Sequence, residues 1–130
     1  MATLEDAREI CSRLPGTVEG EGRFGFGVLV KGKHKGFCWT WMERLQPKKP
    51  KVENPGVLAI VTPGLAAKEI LMEAAPEMYE TDSHYANFPA VLVRLEAVGR
   101  EELEDLLIQG WRSKAPNDLI ARFEAQDTYS

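Results

Sequence analysis

The stretch Phe24-Gly25-Phe26-Gly27-Val28-Leu29-Val30-Lys31-Gly32-Lys33-His34-Lys35-Gly36-Phe37-Cys38-Trp39-Thr40-Trp41-Met42 decides the fold class. Phe24, Phe26, Val28 and Val30 alternate with Gly25, Gly27 and Leu29, and Phe37, Trp39 and Trp41 alternate with Cys38, Thr40 and Met42. That period of two belongs to half-buried strands. Lys31 to Gly36 supplies the glycines of a hairpin turn, so the strands are expected to be antiparallel with a basic tip. Phe37, Trp39 and Trp41 are expected on one strand face, filling the core with large aromatic area. Exposed, the two tryptophans would instead stack on unpaired bases.

Upstream of the hairpin, residues 3–14 read as a helix, capped by Thr3 with Asp6 at the capping-box position and striped by Leu4, Ala7, Ile10, Cys11 and Leu14. Pro15-Gly16 stops it. Downstream, Gln46-Pro47-Lys48-Lys49-Pro50-Lys51 is too rich in proline and charge for a central strand and is expected to be an exposed loop. Val57 to Thr62 reads as a buried strand between Pro55-Gly56 and Pro63-Gly64. Leu65 to Ala75 reads as a helix with Ala67, Ile70, Leu71 and Ala74 on one face. Met78 to Phe88 is a polar, aromatic connector with room for a short strand near Met78–Thr81, and Ala90 to Leu95 is the next strand. A helix from about Gly99 carries a stripe of Leu103, Leu106, Leu107, Gly110 and Trp111. Pro116 starts a short final helix with Leu119, Ile120 and Phe123. The order α-β-β-β-α-β-α-α predicts an α+β fold, an antiparallel sheet covered by helices on one face.

The 130 residues are enough for one domain, 1–130, with its own core and no need of staples. Cys11 and Cys38 are too far apart in sequence for a chelating motif and are expected to be free, buried thiols. His34 and His84 lack any metal-binding context, so neither a metal nor another cofactor is expected. Met1 to Asp6 lacks the basic start and apolar run of a signal peptide, and no apolar stretch approaches the ~18 residues that span a bilayer. The expected compartment is the cytoplasm, with no membrane partner.

Charge is segregated. Arg23, Lys31, Lys33, Lys35, Arg44, Lys48, Lys49 and Lys51 face only Glu43 between positions 23 and 51, a local net of +7. The remaining 8 basic and 19 acidic residues carry −11, and the two parts give the chain its −4. These eight cations are the candidate contacts to a phosphate backbone, with DNA the leading partner. If the 44–51 loop folds beside the hairpin, the charges form one stripe. The structural alternative is a solvated edge whose lysines discourage strand-to-strand aggregation. The chain's pI of about 5.3 is low for a dedicated DNA-binder.

The connector Tyr79 to Tyr85 holds the cluster most like an active site. Asp82 and His84 could act as acid and base, although a local turn with polar side chains bonded to backbone is commoner. His84, Tyr85, Trp111 and Arg112 are the candidate lining of a ligand or partner pocket. The chain is expected to be non-enzymatic. Its alternative role is a protein- or small-ligand-binding module using the sheet face or the 79–88 connector.

Asn87-Phe88-Pro89-Ala90-Val91-Leu92-Val93-Arg94-Leu95, then Glu102-Leu103, then Trp111-Arg112-Ser113-Lys114-Ala115-Pro116-Asn117-Asp118-Leu119, resembles the MmcQ/YjbR family. Pro76, the Tyr79-to-Tyr85 connector and the Lys33-to-Phe37 turn fit as well, so the resemblance covers nearly the whole chain. It implies a two-layer YjbR-like fold and, through comparison of that fold with a double-wing DNA-binding domain, a DNA-binding role. It brings no catalytic residues. Asn117-Asp118 stands where the family often carries Lys or Arg.

Overall fold

The computed structural model, which describes residues 1–129 and the side chains through residue 126, is a six-stranded antiparallel sheet with four helices. The chain runs α1 (Leu4–Arg13), β1 (Thr17–Glu19), β2 (Gly25–Val30), β3 (Lys33–Glu43), β4 (Val52–Val61), α2 (Leu65–Ala74), β5 (Tyr79–Glu80) and β6 (Ala90–Arg94). A 3-10 turn (Leu95–Ala97), α3 (Arg100–Lys114) and α4 (Asn117–Tyr129) complete it. Strand order in the sheet is β1-β2-β3-β4-β6-β5. The α+β class is as the sequence predicts. β5 falls where a short strand had room, and β1 is an addition, three residues without alternation that pair along the edge of β2.

Thr3 caps α1 through the foreseen box: its hydroxyl accepts from the Asp6 amide at 3.1 Å, and its own amide donates to Asp6 Oδ2 at 3.0 Å. The Arg100 guanidinium then clamps α1 to the start of α3, donating to Asp6 at 2.6 Å and Glu9 at 2.9 Å. The Thr3 amide, with Arg100 behind it, holds the Asp6 carboxyl below its ordinary value. On α3, Leu103, Leu107 and Trp111 are wholly buried, and Trp111 Nε1 donates to the Pro15 carbonyl at 3.0 Å. Gly110 lets the helix press onto the sheet, because a Cβ there would sit 3.1 Å from the Val61 carbonyl. α4 is longer than the short helix expected. It packs Leu119, Ile120 and Phe123 on the core, with the Phe123 ring 5.2 Å from that of Trp111.

Three expectations about individual segments need correction. The hairpin turn is only Lys31-Gly32, both with positive φ (53° and 79°), so Lys33 and Lys35 belong to β3 rather than to the tip. β4 begins at Val52 and runs through Pro55-Gly56, past a register break opposite Thr40 and Trp41 that accommodates the proline. α2 turns only part of its expected face inward: Leu71 packs against the core, but Ile70 is 66% exposed, and Lys68, at 3%, is the most deeply buried residue of the helix.

A β-bulge changes the aromatic strand. Phe26 pairs with Cys38 but Gly27 pairs with Gly36, leaving Phe37 as the extra residue. Phe37 and Cys38 therefore both lie in the main core beneath the helices, while Trp39 and Trp41 pack against a second cluster of Val57, Ala59, Tyr85, Ala90 and Leu92, Trp39 also touching the edge of the main core. The three aromatics do not share a face. The sheet is also covered on both sides over β4 and β6, with the connector lying on the second side.

Candidate nucleic-acid interface

Arg23, Lys31, Lys33, Lys35, Arg44, Lys48, Lys49 and Lys51 are all exposed. Among the described residues none of the eight forms an ion pair, whereas Arg8, Arg94, Arg100 and Arg112 are each matched to a carboxylate. Arg44 instead donates to the Lys49 carbonyl at 2.6 Å, which folds the loop on itself. They do not form one stripe. Lys33 begins β3 and Arg44 follows its last residue. At about 3.3 Å per strand residue the two ends lie about 35 Å apart. Lys31, Lys33 and Lys35 make one basic end of the hairpin, and Arg44, Lys48, Lys49 and Lys51 make the other, which Arg23 and Lys51 reach together.

Between these ends, the connector is bound to the second face of the sheet by three side chains. Trp39 Nε1 donates to the Tyr85 hydroxyl at 2.8 Å, and Trp41 Nε1 donates to Asp82 Oδ2 at 2.9 Å. From α2, the Lys68 ammonium donates to the Tyr85 carbonyl, to the Phe88 carbonyl at 3.0 Å and to Thr81 Oγ1 at 3.1 Å. Burial lowers the Lys68 pKa from the ordinary lysine value, and the Asp82 charge works against that. Asp82 Oδ1 also accepts from the Tyr85 amide at 3.0 Å. Both Asp82 oxygens thus serve to shape the turn, which is the local-turn reading of the Asp82–His84 pair.

Against this connector lies a pocket of about 360 Å³ lined by Arg23, Trp39, Met42, Lys51, His84, Tyr85 and Phe88. Its aromatic wall is built edge to face: Trp39 to Phe88 at 6.4 Å, Tyr85 to Phe88 at 6.1 Å and His84 to Tyr85 at 4.9 Å. Glu53, two residues from Lys51, directs its carboxylate to the Thr40 hydroxyl and, at 3.4 Å, to the Phe24 amide. The pocket foreseen from His84, Tyr85, Trp111 and Arg112 is not formed. Trp111 is sealed in the main core, and Arg112 lies on α3, donating to Glu124 of α4 at 3.1 Å. His84 and Tyr85 are joined instead by Trp39, which the sequence offers as a base-stacking residue if exposed, by Met42 and Phe88, which it does not single out, and by two of the eight cations. The pairing of strands and the path of the connector across the sheet bring these residues together.

A wider cleft, of about 910 Å³, opens beside the N-terminus between β3, β4 and β6. Glu5, Glu43, Glu80 and Glu96 line it with Arg94, which is itself paired to Glu80. Its carboxylates disfavour a polyanion. Among the described residues no group of three or more His, Cys, Asp or Glu side chains is placed to hold a metal ion, and no helix is long and apolar enough to cross a membrane.

No family model matches the chain. It is 28% identical over 128 residues to the uncharacterized proteins Rv2570 of Mycobacterium tuberculosis and Mb2600 of Mycobacterium bovis, covering 96% of this chain and 98% of each of theirs. Among solved structures it is similar to the Deinococcus radiodurans protein DR2400, described as a DUF419 domain. The TM-score is 0.64, with 23% identity, over 85% of this chain and 76% of that one. At that identity the likeness is one of fold.

Proposed function

We propose that this chain is a cytoplasmic, non-enzymatic member of the MmcQ/YjbR family that binds DNA by sequence-tolerant phosphate contacts at the two basic ends of the β2–β3 hairpin. The observation that carries the reading is the set of eight exposed cations without carboxylate partners, in a chain whose arginines elsewhere are mostly paired. Phosphate neutralisation by such cations supplies most non-specific affinity for nucleic acid. The acidic remainder opposes association, so binding is weak and steeply salt-dependent. Family membership is supported by the Asn87–Leu95 and Trp111–Leu119 segments and by the fold shared with the DUF419 domain, which is related to the YjbR/MmcQ fold. A titration against duplex DNA at low and physiological salt tests the reading.

A second reading, a small-ligand module, is favoured by the aromatic pocket at the connector. It is separated from the first by asking whether a ligand of that pocket needs a phosphate chain at all.

A further inference from the structure

We infer that the connector pocket takes one unpaired nucleobase together with its adjacent phosphate, with Phe88 as the stacking surface, Trp39 as the wall that meets the base edge-on, and Arg23 and Lys51 as the phosphate contacts. The inference rests on the phosphate-binding reading above and adds a ligand class and a strand preference to it.

Three features converge on that chemistry. The first is shape: a cavity of about 360 Å³ lies at the small end of ligand clefts, which run from about 300 to 1,000 Å³. It is sized for one planar ring system and not for a duplex.

The second feature is the wall. The Trp39 benzo edge lies over Gly36, where a Cβ would stand 3.7 Å from Cε3 and Cζ3, and its opposite edge is held by the Tyr85 hydroxyl. The indole is therefore fixed in place at both edges before any ligand arrives. Phe88, 43% exposed, meets Trp39 and Tyr85 edge to face and leaves the rest of its ring to solvent. Fixed aromatic faces of this kind are what bases stack on, regardless of sequence.

The third feature is charge. Arg23 and Lys51 open onto the aromatic wall with no carboxylate partner among the described residues. An apolar ring alone would leave them unused. A base inside a duplex is stacked between its neighbours and cannot enter, so the pocket favours single strands.

The test uses the full chain, a labelled octathymidylate, a duplex with the same label, and thymidine 5′-monophosphate. Wild type should bind the octathymidylate more tightly than the duplex. Phe88→Ala should weaken the octathymidylate by at least about fivefold, the smallest loss expected for one stacked base, while leaving duplex affinity unchanged. Phe88→Tyr should keep the wild-type preference. In wild type the Trp39 indole N–H resonance, assigned with Trp39→Phe, should shift on adding the octathymidylate, a readout that survives if Phe88→Ala folds poorly. Phe88-dependent binding of the monophosphate as tight as that of the octathymidylate would support the same chemistry with a free nucleotide as its source. Phe88-dependent binding of the octathymidylate alone would assign it to a strand. If Phe88→Ala binds the octathymidylate like wild type while the Gln variant of Lys31, Lys33 and Lys35 loses it, the pocket inference is overturned and the phosphate reading stands. If wild type binds neither strand form nor the monophosphate, both fall.

Discussion

Trp39 and Tyr85, 46 residues apart, are joined by a 2.8 Å hydrogen bond from the indole N–H to the phenol oxygen, and this bond ties the aromatic strand to the connector that covers the sheet's second face. Tyr85 is 9% exposed, so its ring also fills the smaller core with Val57, Ala59, Ala90 and Leu92. Tyr85→Phe keeps the ring and leaves the Trp39 N–H without its partner. It should lower stability by about 1 kcal/mol, seen as a lower urea midpoint at unchanged slope. Amide exchange should quicken across residues 81–88 and stay unchanged in α3.

Lys68 performs the same anchoring from α2. Lys68→Met leaves the Tyr85 and Phe88 carbonyls without their ammonium partner, at a cost of about 1–3 kcal/mol. The pH dependence has a definite sign. Burial lowers the native pKa of Lys68 below 10.5, so the unfolded chain holds this proton more tightly. Wild-type stability should therefore gain, relative to Lys68→Met, as pH rises from the depressed native value toward 10.5. Paired urea titrations across that range check it, and a gap that narrows with rising pH would contradict it.

Trp111 is wholly buried and donates to the Pro15 carbonyl, so it couples α3 to the end of α1. Trp111→Ala should cost about 3–5 kcal/mol in equilibrium unfolding. A melting curve like that of wild type would mean that the residue does not occupy the core.

The elements that sequence predicts well are those whose signal is local. The Thr3–Asp6 box and the Leu103-to-Trp111 stripe each lie within a few turns of one helix, and both hold in the structure. The bulge at Phe37 has no local signature, because an alternating run looks the same with or without an extra residue; pairing with β2 decides it. Lys68 was illegible for a related reason. A lysine in a helix reads as solvent-facing and Ile70 as core, and only the connector's path shows that the Tyr85 and Phe88 carbonyls converge where an ammonium from α2 can meet them. Of the pocket, Arg23, Lys51, His84 and Tyr85 stood out individually by residue type. Trp39 reads as a stacking residue if exposed, and it, Met42 and Phe88 are brought beside them only by strand register and the connector's path.

Cys11 and Cys38 are distant in sequence, yet their sulfurs stand 3.9 Å apart, both wholly buried between α1 and β3. The Cys38 contact, with burial, raises the Cys11 pKa far above the ordinary thiol value, which suppresses the reactive thiolate. Neither thiol should react with an aromatic disulfide reagent in the native protein except through unfolding. The labelling rate should then rise with urea in step with the unfolding rate. Immediate labelling of both thiols without denaturant would show that α1 does not seal them.

The most direct test of phosphate binding is the salt dependence of DNA association at each end of the hairpin. Duplex binding by wild type should be measurable at ~20 mM salt, where screening is weakest. At ~0.9 log units per phosphate contact, replacing Lys31, Lys33 and Lys35 by Gln should flatten the log–log salt slope by about 2.7. Replacing Lys48, Lys49 and Lys51 should flatten it by a similar amount, and the two effects should add because the ends are too far apart to share a phosphate. Each triple variant should fold as wild type does, since exposed substitutions usually shift stability by under ~0.5 kcal/mol. Wild-type protein that shows no association with DNA at ~20 mM salt, or a slope that neither triple variant alters, would contradict the account.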